Sequence, residues 1–169
     1  DLARAKHIKD PIRRAFAAKV MNMDDGIGRV LAALKANGQE RDTLVIFMTD
    51  HGGAYNFGGN NKPFRGEKAT LFEGGIRVPC LMRWPGKIKA GSTSNEMLGA
   101  LDLFPTLCAL AKVDTAGRQL DGEDITGILT GIQKTLPVRE WLWHTGSHAE
   151  LKRGTWTALR QGDWKFLET

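Results

Sequence analysis

The chain has 169 residues, a net charge of +5, and a composition that is 41% hydrophobic and 25% charged. That length suits one ordinary domain with a core of its own, and no run reaches the roughly 18 apolar residues of a membrane span. The basic excess is local: residues 1–20 carry six Lys/Arg against two Asp, and residues 51–100 carry seven Lys/Arg against three Glu. These stretches lack aromatic interleaving of the kind that single-stranded nucleic acid needs, which argues against a nucleic-acid surface.

The opening DLARAKHIKD has neither an initiator Met nor an apolar leader, so a mature form or an excised portion of a longer protein is expected. Pro11 to Lys35 predicts a helix, with Val20, Met23, Ile27, Val30, Leu31 and Leu34 on one face. Pro11 suits its first turn and Asn37-Gly38 its C-cap. Gly26 and Gly28 lie inside it, and a close packing contact is the expected reason. Asp24 and Asp25 sit mid-helix with no His or Cys beside them and read as a solvated or packing feature.

A short turn leads to Leu44–Thr49, an apolar run without alternation that predicts a strand buried on both faces. It ends at Asp50-His51-Gly52-Gly53. A loop rich in glycine and asparagine follows, carrying Lys62, Arg65 and Lys68. A loop of that length without apolar period favours function over mere connection. Ligands in open α/β sheets sit beyond the carboxyl ends of such strands, which points to Asp50 and His51.

Gly74-Gly75 reads as a sharp turn, Ile76–Trp84 as a second strand with Pro79 marking an edge, and Pro85-Gly86 as a turn. Leu98–Ala111 predicts a helix lined by Leu103, Leu107 and Leu110, with Asp102 as N-cap if Pro105 lies in the first turn. Residues 112–137 are loop-rich, with a short helical piece near Ile125–Leu129. From Val138 the pattern changes to two short antiparallel strands with a turn at Gln161-Gly162-Asp163. Cys80 and Cys108 lie in apolar surroundings and read as buried free thiols.

Adjacent side chains on a strand point to opposite faces, so Asp50 and His51 can share an ion only if the backbone turns there. Gly52-Gly53 permits that turn. Two ligands do not complete a metal site, and the competing reading has Asp50 capping the loop and His51 packed. Lys68 at the mouth of such a site could neutralise an anionic oxygen; the competing reading is a surface lysine.

The blocks TDHGG, FRGEKATLFEGGIRVPCLMRWPG, LDLFPTLCALAKV, LDGEDITGIL and ALRQGDWKFL, taken in this order, resemble the C-terminal half of a type I, arylsulfatase-like sulfatase of the alkaline-phosphatase superfamily. The resemblance runs from about Phe16 to Leu167. It implies an α/β fold: part of an alkaline-phosphatase-like mixed sheet with flanking helices over residues 1–137, and the start of a small C-terminal antiparallel sheet over residues 138–169. It implies that Asp50 and His51 ligate one divalent cation, calcium in most of the family. His51 stands where Asn also occurs, and Asn suits a hard cation better. It implies that Lys68 is catalytic and binds the sulfate and its bridging oxygen, and that His144 approaches the substrate. Glu73, Gly74, Gly75 and Arg77 match a motif with a structural reading, a glycine turn and a strand-fixing ion pair.

Sulfatases hydrolyse with a formylglycine made from Cys or Ser in C/S-x-P-x-R. Cys80, Cys108 and every serine here lack that context. The nucleophile, and the aspartate pair completing the cation site, are expected in an N-terminal half upstream, and this chain alone is expected to be inactive. In the whole enzyme, the resemblance implies attack of the hydrated aldehyde on sulfur, with the cation and lysines stabilising the transferring group. It also implies an aryl or carbohydrate sulfate ester as substrate and a periplasmic, secreted or lysosomal setting. The rival readings are a phosphodiesterase or phosphonate hydrolase of the same superfamily, a non-catalytic module gripping sulfated glycans, and a generic anion or nucleic-acid binder.

Overall fold

The computed structural model describes residues 1–146 and 154–168; residues 147–153 and 169, inside the expected C-terminal sheet region, lie outside the described residues. The elements run α1 (Pro11–Ala36), β1 (Val45–Met48), a 3-10 turn (Tyr55–Phe57), α2 (Glu73–Ile76), β2 (Cys80–Arg83), a 3-10 turn (Ala100–Asp102), α3 (Leu103–Leu110), α4 (Thr126–Thr130), β3 (Glu140–Thr145), β4 (Trp156–Gln161) and β5 (Trp164–Glu168). β1 and β2 pair as one sheet, and β3-β4-β5 form a second. This is the expected mix of helix and sheet with a small antiparallel sheet at the C-terminal end. No described helix is long and apolar enough to cross a membrane.

The chain forms two compact units, residues 1–39, 46–81 and 138–169 in one, residues 40–45 and 82–137 in the other. In the first, α1 begins as its sequence dictates. The Asp10 side chain accepts from Arg13 N at 2.6 Å, and Pro11 occupies the first helical position, where a missing N–H costs nothing. Asn37 closes the helix and Gly38 turns away with φ +69°. The apolar face behaves differently from expectation. Val20, Met23 and Val30 are exposed, and Ala18 is the helix's buried residue. The interior glycines are also unlike expectation: a Cβ on Gly28 would meet nothing within 4 Å, and one on Gly26 only an arginine tip at 3.8 Å. No close contact explains either. Asp25 pairs with Arg4 on the surface.

β1 is half-buried at every position rather than covered on both faces. The faces of a strand are covered by layers packed above and below its sheet, and here that cover is partial. β2 is shorter than its predicted run, and Cys80 in it is exposed, not buried; Cys108 is half-buried, and both thiols are free. Packing around the Cys80 thiol still pushes its pKa up.

β3 and β4 pair with Trp143 opposite Ala158, and β4 and β5 pair with Arg160 opposite Lys165. The third strand, β3, makes a meander of the expected hairpin. Its tight turn is Gly162-Asp163, with Gly162 at φ +56°, the left-handed conformation that two-residue hairpins need. Ala158, at the centre, is fully buried.

In the second unit, Asp102 sits at the start of α3 as predicted, but its carboxylate does not cap that helix. It is 0% exposed and accepts from Gly99 N and Glu123 N, each at 2.9 Å. Thr106 Oγ1 accepts from Ile125 N at 3.0 Å, linking α3 to the approach of α4.

Candidate functional site

The site is built in the first unit from three stretches of backbone packed so closely that side chains are excluded. The predicted turn at Gly74-Gly75 is the one-turn helix α2. Its glycines are there for lack of a Cβ, not for φ freedom. A Cβ on Gly52 would lie 1.7 Å from Gly74 O, one on Gly74 2.3 Å from Gly66 O, and one on Gly75 2.0 Å from Thr70 O. Gly52 N donates to Gly75 O at 2.8 Å, and Gly74 N donates to Arg65 O at 2.7 Å. α2 therefore backs both the turn after β1 and the lysine loop.

The glycine loop wraps onto the same frame. Asn61 acts as a backbone surrogate: its Oδ1 accepts from Gly53 N at 2.7 Å, and its Nδ2 donates to Gly53 O at 2.7 Å and Gly66 O at 3.1 Å. Glu67 accepts from Tyr55 N at 2.7 Å, and the Tyr55 hydroxyl donates to Gly66 O at 2.7 Å. At the far side, a Cβ on Gly58 would meet Phe16 Cβ of α1 at 3.0 Å, and Arg13 of α1 donates to Gly58 O. Sequence reasoning missed Asn61, Tyr55 and Glu67 as organisers. A polar side chain inside a glycine run, able to satisfy amides that glycine cannot cover, is the signal that was there to read.

Asp50 and His51 converge. His51 Nδ1 lies 2.9 Å from Gly52 O, and His51 Nε2 lies 3.2 Å from Asp50 Oδ2. A carbonyl only accepts, so Nδ1 carries the proton at that contact. The other ring nitrogen, Nε2, and the Asp50 carboxylate face each other across the remaining gap, and both are atom types that ligate cations. Their separation is what adjacent ligands leave when each sits at the roughly 2.3–2.6 Å of a calcium bond. The donor pair thus fits one corner of a cation site. Among the described residues, no group of three or more His, Cys, Asp or Glu could hold a metal ion, so the pair is incomplete by itself. Asp50 is 84% exposed, free to meet ligands supplied from elsewhere. Thr49 Oγ1, one residue before it, is buried with no hydrogen-bond partner.

Lys68 is exposed, not buried, and its backbone N donates to Gly53 O at 3.4 Å. Its ammonium makes no ion pair among the described residues. Ala69 follows at φ +66°, a conformation unusual for a side-chain-bearing residue, which fixes the direction in which the chain leaves Lys68. His144 stands apart: it is exposed on β3, with Nδ1 3.0 Å from Thr157 Oγ1. Trp143, beside it, points to the other face of the sheet, where Lys165 Nζ lies 5.8 Å from its ring. The structure joins Asp50 to His51, ties the Lys68 loop to their turn through backbone, and gives His144 no such link.

Glu73 is more than the partner of Arg77. Arg77 Nη1 lies 3.9 Å away, whereas Lys165 Nζ approaches to 2.8 Å and Arg160 Nη1 to 3.4 Å. An open groove of about 370 Å³ adjoins it, lined by Pro63, Phe64, Arg65, Phe72, Lys165 and Leu167.

The arrangement mixes helix and sheet, with a glycine-wrapped strand end and a small three-stranded antiparallel sheet. The sulfatase family model matches residues 3–113, and the model described as N-sulphoglucosamine sulphohydrolase, C-terminal, matches residues 64–167. The chain belongs to the sulfatase family. It is 41% identical to mouse steryl-sulfatase over 140 residues, 74% of this chain and 22% of that protein. It is 36% identical to human arylsulfatase A over 156 residues, 90% of this chain and 30% of that protein. The crystal structure of Ps i-CgsB in complex with k-i-k-neocarrahexaose superposes with a TM-score of 0.87 at 34% identity, covering 99% of this chain and 37% of that one. The chain thus spans between about a fifth and two fifths of these relatives. They are sulfatases, which does not favour the phosphodiesterase or the non-catalytic glycan-binding reading. The family suggests a metal-dependent enzyme.

Proposed function

We propose that this chain is the C-terminal portion of a sulfuric-ester hydrolase, contributing part of the divalent-cation site and the sulfate-binding lysine. Residues 1–137 belong to its α/β domain and residues 138–169 begin its small antiparallel sheet. The observation that carries the reading is the turn at Gly52, which brings His51 Nε2 to 3.2 Å from Asp50 Oδ2. Asp50 and His51 would hold one divalent cation, calcium as in most of the family, with the Asp50 carboxylate the donor suited to it and the His51 nitrogen the less usual one. When bound, that cation supplies Lewis-acid stabilisation of charge on the sulfuryl oxygens. Lys68, whose ammonium makes no ion pair among the described residues, stands on a braced loop, binds the sulfate group and stabilises negative charge on the bridging oxygen as the ester bond breaks. His144 is the outlying member of the set and would contact the substrate's organic part.

The formylglycine nucleophile and the remaining cation ligands are assigned to the portion of the longer relatives that this chain does not match. The substrate class is a sulfate ester, aryl or carbohydrate.

NMR titration of the 169-residue chain tests this, first with calcium chloride and then with sodium sulfate. Calcium should bind weakly, moving the His51 ring and Gly52 amide signals, and Asp50→Asn should abolish the response. Sulfate should move signals around Lys68, and Lys68→Ala should abolish that at unchanged thermal stability, because the exposed ammonium has no partner to lose. Tight calcium binding, or shifts centred elsewhere, would show the site mislocated. Release of nitrophenol from 4-nitrophenyl sulfate by this chain alone would overturn the assignment of the nucleophile to another segment.

A further inference from the structure

We propose that Glu73 is a positioning residue, clamped by the β4–β5 hairpin so that α2 holds the Asp50-His51 turn and the Lys68 loop in register. This rests on the reading of those three residues given above. α2 is a single turn of four residues, two of them glycine, and such a segment has little helical stability of its own. Something outside it must hold it. Gly75 O accepts from Gly52 N, and Gly74 N donates to Arg65 O, so this one turn bonds to both functional segments at once. With no Cβ on Gly52, Gly74 or Gly75 there is no slack: a shift of α2 moves the backbone it touches.

The fastening comes from the far end of the chain. Lys165 Nζ donates to Glu73 Oε1 at 2.8 Å and to Leu71 O at 2.6 Å, gripping both the helix and its approach. Arg160 Nη1 donates to Glu73 Oε2 at 3.4 Å. Arg160 and Lys165 are register partners, so one rung of the hairpin supplies both cations. The carboxylate and its two partners are 27%, 26% and 18% exposed, sheltered enough for charge-assisted bonds to act as a clamp rather than a loose surface pair. The small sheet would thus reach the cation site without any of its residues touching the cation.

Amide hydrogen exchange of the full 169-residue chain, read by NMR in Glu73→Gln, Lys165→Gln and the double variant, tests this. The Gly52 and Gly74 amides should exchange at least about tenfold faster in Glu73→Gln. The Ala111 amide, bonded to Leu107 O in the other unit, should keep its rate. Lys165→Gln should reproduce the change, and the double variant should add little to either. An unchanged Gly52 rate, or equal acceleration at Gly52 and Ala111, would refute the clamp. If Glu73→Gln unfolds the chain, Arg160→Gln, which removes the longer contact, is judged by the same two amides. Calcium chloride separates the two ideas. A His51 ring indifferent to calcium in the unsubstituted chain, with Gly52 exchange responding as expected, defeats the metal reading and leaves the clamp standing. Where the His51 ring of the unsubstituted chain does respond to calcium, an identical response in Glu73→Gln defeats the clamp.

Discussion

Glu73 and Asp102 are both acidic residues at the start of a helix, and they anchor two different kinds of construction. Asp102 is fully buried and satisfied by backbone amides from residues 3 and 21 positions away. Glu73 is partly exposed and engaged by cations 87 and 92 positions away. The first arrangement closes a local knot in the second unit: buried amides need an acceptor, and a carboxylate gives the strongest one available. The second ties distant chain to a segment that could not hold itself. Amide-bonded carboxylates are indifferent to salt and severe to lose, whereas cation clamps near a surface weaken with ionic strength. The comparison teaches that the fastening of the first unit near Asp50 responds to salt, and the second unit's core does not.

The largest effect should come from breaking the buried member. Asp102→Ala empties a fully buried site and leaves two part-buried N–H groups without their acceptor, and should cost about 3–5 kcal/mol in urea unfolding. A loss under about 1 kcal/mol would erase the distinction between the two carboxylates. Next, Gly52→Ala puts a Cβ where Gly74 O stands, 1.7 Å away. It should cost about 3 kcal/mol and abolish the calcium response of His51, because the two backbones must separate. Gly28→Ala sharpens the contrast from the other side. Its Cβ would meet nothing within 4 Å, so helix propensity alone acts and the thermal midpoint should rise, by up to about 1 kcal/mol of stability. A loss there would reveal a neighbour that the described residues do not contain.

These three glycine and carboxylate positions also show how far the sequence could be read. The ends of α1 were legible because Pro11, Asn37 and Gly38 act through their own backbone preferences. The hairpin turn at Gly162-Asp163 was legible for the same reason, and the Asp50-His51 strand end stood out by the abrupt change from apolar to polar residues. Gly74-Gly75 was misread as a turn, since a glycine selected for close approach looks the same in sequence as one selected for φ. The exposure of Val20, Met23 and Val30 was also out of reach: periodicity says which residues share a face, not whether anything covers it. Cys80 followed the same pattern, its apolar neighbours suggesting burial that the short strand β2 does not provide.

The sequence by itself determined α1 and its caps, the turn at Gly162-Asp163, the family, and the candidate strand-end motif, because each is written in preferences spanning a few positions or in motifs of fixed spacing. Only the tertiary structure decided that the backbone turns so that Asp50 and His51 meet, that Lys68 stands exposed, and that Glu73 belongs to Lys165 and Arg160 more than to Arg77. Those facts depend on backbone segments approaching without side chains between them and on charges brought together from parts of the chain 87 and 92 positions apart. No local preference encodes either.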